Sequence, residues 1–250
     1  MLLDGSGDCT RRGTVPQRQG WLARVDFERR QVAIECLDLR NRPMKVSAVL
    51  LAGGESRRMG KDKATLLFRT EPLGRKEPLW RIQVNRLRKL APVEILISAR
   101  NDPPWRPADV SFVADARPSR GPVSGISAAL AQSTTTHLLT LAIDMPFMNE
   151  QYLRALCRRI EPGRGIIPVI GERAEPLAAI YPMEVRSDFA AALSGLDFSL
   201  QKLAKELLSK ERLRVVRVKK DEEALFRNLN EPMDLERDNF VAGQPSAIRS

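Results

Sequence analysis

Histidine and cysteine are nearly absent from this sequence of 250 residues, which has one His and three Cys. An odd number of cysteines does not favour a disulfide framework, and none of these side chains shows the paired spacing of a zinc site: His137, Cys9, Cys36 and Cys157. The sequence also lacks an apolar run long enough to span a bilayer, and its N-terminal segment MLLDGSGDCTRRG lacks the apolar centre of a signal peptide. We therefore expect a reduced, cytoplasmic protein that does not enter a membrane.

Acidic residues are outnumbered, with 31 Asp and Glu against 41 Lys and Arg, for a formal charge of +10. Such a balance favours anionic partners, namely nucleotides, phosphorylated metabolites or nucleic acid. Aromatic residues are only 5% of the chain, and Trp21, Trp80 and Trp105 are too widely spread to indicate a platform for stacking bases. Since the basic residues are also distributed along the chain, no specific nucleic-acid recognition is expected.

Short apolar segments alternate with helical patterns through the chain. Continuous apolarity is typical of a strand that is covered on both faces, and strand–helix alternation predicts parallel βαβ units. We expect an α/β fold, a three-layer α/β/α sandwich with a Rossmann-like, mostly parallel sheet. The predicted strands are 46–52, 93–99, 110–114, 137–143, 165–170, 176–182 and 212–218. The predicted helices are 77–90, 125–133, 149–160, 185–196 and 200–210.

The two ends of the chain differ from its centre. Residues 1–43 are predicted to be an N-terminal extension, partly disordered, in which 21–39 alternates as a small hairpin would. Met44 opens the segment MKVSAVLLAGG, which resembles the start of a domain. We predict a single domain over 44–238 and a disordered tail over 239–250.

The segment AVLLAGGESRRMGKDKATL, residues 48–66, joins an apolar strand to glycines and cations. It does not fit a P-loop, because five residues separate Gly54 from Gly60 and the following Lys61 precedes Asp62 rather than Ser or Thr. It does not fit a dinucleotide-binding turn either, because Gly53 and Gly54 are adjacent and no third glycine follows at the required distance.

A third interpretation is a different triphosphate-binding loop. Glycines at the carboxyl end of a strand allow a flat base to lie against the backbone, and nearby cations can bind phosphates. The alternative is a glycine turn followed by solvated charge. The cations in this segment are Arg57, Arg58, Lys61 and Lys63.

At this point the sequence resembles a known family. LAGGESRRMGKDKATL (51–66) resembles the signature of nucleotidyltransferases that act on molybdopterin, in particular the MobA-like molybdenum cofactor guanylyltransferases. Four further motifs agree in order, so that the resemblance covers about residues 46–237; they are DARPSRGPVSGISAAL (115–130), LLTLAIDMPFM (138–148), EPLAAIYP (175–182) and LFRNLNEPMDLE (225–236). The segment 66–83 is longer than in the family pattern, and Ser98 stands where some relatives have asparagine. The implied fold is of the nucleotide-diphospho-sugar transferase type.

The resemblance implies transfer of GMP from GTP to the terminal phosphate of molybdopterin, with release of pyrophosphate and with Mg²⁺ as cofactor. It assigns Asp144 to the metal, Lys63 and Arg58 to the triphosphate, and Asn228 and Asn230 to the acceptor side. The nucleotide-binding residues that it implies are Leu51, Ala52, Gly53, Gly54, Lys63, Ser98, Asp115 and Asp144. It also implies close passage of the backbone at Gly121, Pro122 and Gly125, and other cofactor-biosynthesis proteins or a molybdoenzyme as possible partners.

Alternatives stay open for several of these residues. Asp144 fits a helix N-cap, Asp115 fits a turn, and the two asparagines fit a turn before Pro232. In the resembling families Leu-Ala-Gly-Gly accompanies guanine more often than cytosine, which favours GTP over CTP. The rival functions are a same-fold enzyme with CTP or another phosphorylated acceptor such as a sugar phosphate, a nucleic-acid-binding protein, and a catalytically silent nucleotide-binding module.

Overall fold

A central β-sheet organises the chain in the computed structural model, which describes residues 44–53, 62–69, 74–115, 117 and 119–229. The strands are β1 (Met44–Leu51), β2 (Leu67–Phe68), β3 (Glu77–Pro78), β4 (Pro92–Ala99), β5 (Ser111–Ala114), β6 (His137–Ala142), β7 (Gly165–Ile170), β8 (Arg173–Ala174), β9 (Ile180–Pro182) and β10 (Leu213–Arg217). The helices are α1 (Leu79–Lys89), α2 (Pro122–Gln132), α3 (Glu150–Cys157), α4 (Arg186–Ser194) and α5 (Leu200–Ser209). The predictions for 1–43, with its hairpin, and for the tail 239–250 lie outside the described residues.

The main sheet has the strand order β10-β7-β9-β6-β1-β4-β5, and β8 pairs with β7 at its side. Neighbours pair in parallel except around β9 and β8, which are antiparallel to their partners. The short strands β2 and β3 form a separate antiparallel pair. The carboxyl ends of β1, β4, β5 and β6 therefore lie at one edge of the sheet, where ligand crevices of α/β proteins form.

Helices cover both faces of this sheet. In β1, Ala48 and Leu50 pack into one apolar cluster, whereas Val49 and Leu51 pack into the other. Residues of α1 and α3 belong to the first cluster, and residues of α2, α4 and α5 belong to the second. The predicted three-layer sandwich with a mostly parallel sheet is confirmed. No helix among the described residues is both long and apolar enough to cross a membrane.

The predicted strand 176–182 is wrong in its first half. Pro176–Ala178 form a 3₁₀ turn, and only Ile180–Pro182 join the sheet, as β9. Pro176 cannot donate a ladder hydrogen bond, and its carbonyl accepts from the buried hydroxyls of Thr140 and Tyr181 instead. The apolar run 176–182 therefore forms a turn in its first half and a short strand in its second.

Gly165 at the start of β7 is tightly enclosed by the sheet. A Cβ atom on this residue would lie 2.0 Å from the carbonyl oxygen of Ile180, a backbone atom that cannot move alone. We expect Gly165→Ala to lower the free energy of unfolding by about 3 kcal/mol, measured by denaturant titration. As a control, Gly195→Ala meets its nearest atom at 3.5 Å and is expected to change stability by less than about 1 kcal/mol. Equal stability of the two variants would contradict the conclusion that the sheet leaves no room for a side chain at Gly165.

Candidate active site

A cleft of about 370 Å³ lies at the carboxyl edge of the sheet, between β1, β4, β6 and the start of α2. Seven of the residues predicted for nucleotide binding or catalysis line it: Leu51, Ala52, Gly53, Lys63, Ser98, Asp115 and Asp144. The predicted backbone contacts of α2 also line it, at Gly121, Pro122 and Gly125. Gly54, Arg58 and Asn230 lie outside the described residues. The sequence interpretation missed other lining residues, among them Asp62, Arg100, Ser119 and Leu177.

The end of β1 forms one wall of the cleft. Ala52 N donates to Ser98 O at 2.8 Å, and Leu51 O accepts from Ile143 N at 3.1 Å, so the backbone is held on both sides. A Cβ atom on Gly53 would lie 2.4 Å from Asp115 Oδ2. Only glycine fits at this position without moving the carboxylate, and the backbone stays open to a ligand.

Asp115 follows β5 directly and is 7% exposed. Its Oδ1 accepts from the hydroxyl of Ser98, which is 1% exposed, at 2.6 Å. The alternative of a simple turn aspartate is not favoured, because this bond crosses between strands β4 and β5 rather than closing a turn. A buried carboxylate is costly unless it is hydrogen-bonded, and here the bond also fixes its direction toward the cleft.

Lys63 and Asp144 form a pair on the opposite wall. Lys63 Nζ lies 3.3 Å from Asp144 Oδ2 and donates to Leu229 O at 2.8 Å. The two side chains are 20% and 22% exposed, so both charges remain accessible to a ligand in the cleft. A cation and a carboxylate side by side suit a phosphate and a metal ion respectively.

The turn that carries Lys63 is fixed by Asp62. Asp62 Oδ1 accepts from Ala64 N at 3.0 Å and so caps the 3₁₀ turn Lys63–Thr65. Asp62 Oδ2 accepts from Trp105 Nε1 at 2.9 Å. Both carboxylate oxygens therefore orient the turn, which is a role that the sequence interpretation did not assign.

Asp144 follows β6 and does not cap a helix. Asn149 is the N-cap of α3, and its side chain accepts from Tyr152 N at 2.8 Å. The main-chain carbonyl of Asp144 accepts from Leu229 N at 2.9 Å. The N-cap alternative is therefore excluded, and the Asp144 carboxylate lines the cleft beside Lys63.

The donor set of the cleft fits a magnesium ion that also binds phosphates. No group of three or more His, Cys, Asp or Glu side chains forms a metal cage within the described parts of the chain. Mg²⁺ keeps several waters and commonly takes one or two carboxylates together with substrate phosphates. Asp144, half-buried beside Lys63, meets that requirement, whereas both oxygens of Asp62 and Oδ1 of Asp115 accept internal hydrogen bonds.

Two further predictions concern residues near the cleft. Asn228 is exposed and does not line the cleft, although the main chain of the next residue, Leu229, reaches Lys63 and Asp144. Trp80 and Trp105, which the sequence interpretation considered too widely spread along the chain to indicate a base-stacking platform, stack on each other with ring centroids 5.7 Å apart. Both side chains are partly buried, and each ring covers one face of the other.

His137 lies at the opposite end of β6 from the cleft. Its side chain is buried, with Nδ1 beside the Thr136 hydroxyl and Nε2 beside the carbonyls of Glu161 and Arg164. This structural role agrees with the sequence interpretation, which did not include it among the catalytic candidates.

A mostly parallel sheet with a glycine-lined cleft and a lysine–aspartate pair at its carboxyl edge is the arrangement of an α/β nucleotidyltransferase. The model of the MobA-like NTP transferase domain matches residues 48–213. The chain belongs to this family, and the family predicted from the five motifs is confirmed.

Individual relatives agree with this assignment. A probable molybdenum cofactor guanylyltransferase of Opitutus terrae is 32% identical over 196 residues, which are 77% of this chain and 94% of the relative. One of Pelotomaculum thermopropionicum is 29% identical, over 80% of this chain and 94% of the relative. The prediction of a nucleotidyltransferase related to enzymes of molybdenum cofactor biosynthesis is therefore confirmed.

Solved structures share the fold. Molybdopterin-guanine dinucleotide biosynthesis protein A of Archaeoglobus fulgidus has a TM-score of 0.61 at 24% identity, over 78% of this chain and 97% of that one. A nucleotidyl transferase of Methanothermobacter thermautotroptrophicus has a TM-score of 0.61 at 17% identity, over 78% of this chain and 95% of that one. At these identities the likeness concerns the fold alone.

Proposed function

We propose that this protein transfers GMP from GTP to the terminal phosphate of molybdopterin and releases pyrophosphate, with Mg²⁺ as cofactor. The observation that carries the proposal is the cleft, in which the Lys63–Asp144 pair faces the glycine backbone and carboxylate at Gly53 and Asp115. The curated relatives are named molybdenum cofactor guanylyltransferases, which supports the choice of guanine and of an acceptor from molybdenum cofactor biosynthesis.

In this reaction a phosphate oxygen of the acceptor forms a bond to the α-phosphorus of GTP, and the bond from that phosphorus to the β-phosphate oxygen breaks. The attacking phosphate is already anionic, so no general base is required. The protein acts by positioning the groups and by neutralising charge. Lys63 would neutralise charge on the triphosphate, and Asp144 would hold the magnesium ion. Bound Mg²⁺ would supply further positive charge to the phosphates.

The wall of the cleft that contains Gly53 and Asp115 supports a preference for guanine. Guanine presents N1–H and N2–H donors, and the Asp115 carboxylate together with the backbone carbonyls near Gly53 offers acceptors. Cytosine presents fewer donors on its pairing edge. An acceptor left unpaired in this buried position is costly, by about 1–3 kcal/mol, which favours the base with more donors.

The first test is equilibrium binding of GTP, CTP, ATP and UTP in the presence of Mg²⁺. We expect GTP to bind at least about 10-fold more tightly than CTP. This factor corresponds to about 1.4 kcal/mol, which is the cost of leaving one buried acceptor without a hydrogen bond when cytosine is bound. Asp115→Asn has nearly the same shape but changes one acceptor oxygen into a donor, and it is expected to weaken this preference. A transfer assay with α-labelled GTP and molybdopterin then tests the acceptor.

Each outcome of this test has a distinct meaning. Tightest binding of CTP would redirect the proposal to a cytidylyltransferase in the same fold. Binding of GTP without transfer to molybdopterin would point to another phosphorylated acceptor, such as a sugar phosphate. Failure to bind any nucleotide would refute the proposed function.

A further inference from the structure

Side chains of helix α1 donate hydrogen bonds to the backbone of the loop that carries Asp144, residues 142–146. Gln83 of α1 is fully buried, and its Nε2 donates to Met145 O at 2.8 Å and to Ala142 O at 3.4 Å. These two carbonyls lie on either side of Asp144 in the sequence. Gln83 itself does not line the cleft.

Arg86, one turn further along α1, extends this network. It donates through Nη1 to Gln83 Oε1 and through Nη2 to Pro146 O, the latter at 3.0 Å. Burial lowers the pKa of Arg86 to about 10, while the nearby Glu150 opposes that shift. The guanidinium therefore remains charged at neutral pH and is always a donor.

Other bonds complete the attachment of the loop. Leu229 N donates to the carbonyl of Asp144 at 2.9 Å, and Ile143 N donates to Leu51 O at 3.1 Å. The backbone is thus fixed from α1 on one side and from β1 and the 226–229 segment on the others. An aspartate on a loop gains its precision from such contacts, because its own side chain has few rotational restraints.

We propose that Gln83 and Arg86 are positioning residues, which act through the backbone of residues 142–146 to hold the Asp144 carboxylate at the cleft. This inference rests on the proposed role of Asp144 in catalysis. Neither side chain lines the cleft. Their contribution is to keep the carboxylate in one place when the nucleotide arrives, since a displacement of about 1 Å at a reacting centre can cost 100-fold in rate.

A purely structural role for Gln83 makes a different prediction. If the side chain only filled space in the core, an apolar residue of the same length would replace it with little kinetic effect. If it positions the loop, the same replacement leaves the carbonyls of Ala142 and Met145 without their donor, and the loop shifts. Gln83→Met distinguishes the two roles, because methionine preserves the length and removes the donor.

The experiment compares Gln83→Met with Val84→Ala, a control on the same helix. Val84 is fully buried but has an apolar side chain, so its truncation lowers stability without removing a hydrogen bond to the loop. We expect Gln83→Met to lower kcat about 10- to 100-fold and to raise the Mg²⁺ concentration for half-maximal rate several-fold. Val84→Ala is expected to lower the melting temperature and to keep both kinetic values.

Hydrogen exchange supplies a readout that is independent of turnover. In the wild type the amides of Ile143 and Met145 in this loop are hydrogen-bonded, and the amide of Met148 after it donates to the loop carbonyl of Met145. We expect them to exchange at least about 10-fold faster in Gln83→Met than in Val84→Ala when both are compared at the same global stability. Unchanged exchange together with unchanged Mg²⁺ dependence would overturn the proposal.

The outcome also separates this proposal from the proposed function. If the wild-type protein bound no nucleotide, the function proposed above would fail, and the exchange rates alone would decide whether Gln83 holds the loop. If the wild type were active and Gln83→Met had wild-type kinetics, the function would stand and the positioning role would be overturned.

Discussion

Asp144→Asn is expected to lower the rate of nucleotidyl transfer by about 100- to 1,000-fold, which is the usual cost of removing a group that stabilises transition-state charge. Asparagine keeps the shape of the side chain but has no negative charge to hold a magnesium ion. The main-chain bond from Leu229 N to Asp144 O does not involve the side chain, so the fold is expected to persist. Single-turnover rates at several Mg²⁺ concentrations measure the effect.

Asp109→Asn is the matched control for this substitution. Asp109 is also paired with a cation, Arg88, but its side chain is 65% exposed and it does not line the cleft. We expect its rate to stay within about twofold of the wild type, since exposed ion pairs contribute little. If Asp144→Asn kept a similar rate, Asp144 would not be the metal ligand.

Lys63→Met is expected to lower kcat/KM by at least about 100-fold. Methionine has a similar length but no charge, so the triphosphate loses a cation and the Leu229 carbonyl loses the donor at 2.8 Å. Steady-state kinetics with GTP measure the loss. Lys202→Met is the control, because Lys202 pairs with Asp197 on the surface, where its side chain is 61% exposed.

The double variant Lys63→Met/Asp144→Asn tests whether the two residues act together. Groups that serve one transition state are strongly non-additive, so the double variant is expected to be only slightly slower than the worse single variant. Multiplication of the two single losses would show instead that the residues act independently, despite the 3.3 Å between Nζ and Oδ2.

Local patterns in the sequence predicted most of the fold. Strands β1, β4, β5 and β6 coincide with apolar runs, because a strand covered on both faces needs apolar side chains in both directions. Strand order depends on contacts between distant residues and was not predicted. The error at β9 has a local cause, because Pro176 at the start of the apolar run cannot donate a ladder hydrogen bond and was not given enough weight as a turn signal.

The sequence predicted those residues of the cleft that lie at the ends of strands or belong to the recognised motifs. Gln83 and Arg86 were missed because a polar residue on an amphipathic helix usually faces solvent, and their partners lie about 60 positions away in the chain. Leu229 was missed because it contributes through its main chain, and its side chain gives no indication of that role. The stacking of Trp80 in α1 on Trp105 in the segment after β4 likewise depends on a contact between residues that are distant in the sequence.

The bond from Lys63 to Leu229 has a consequence for how the protein is made. Its partners are separated by 166 positions, so a ribosome adding about 5–20 residues per second needs roughly 10–30 s between them. During that interval the growing chain can form β1 and β4. Lys63 still lacks the Leu229 carbonyl to which it donates, and the Asp144 carbonyl lacks the Leu229 amide from which it accepts. Lys63 and the loop of Asp144 can therefore gain these two contacts only after Leu229 has been synthesised, near the end of the described part of the chain.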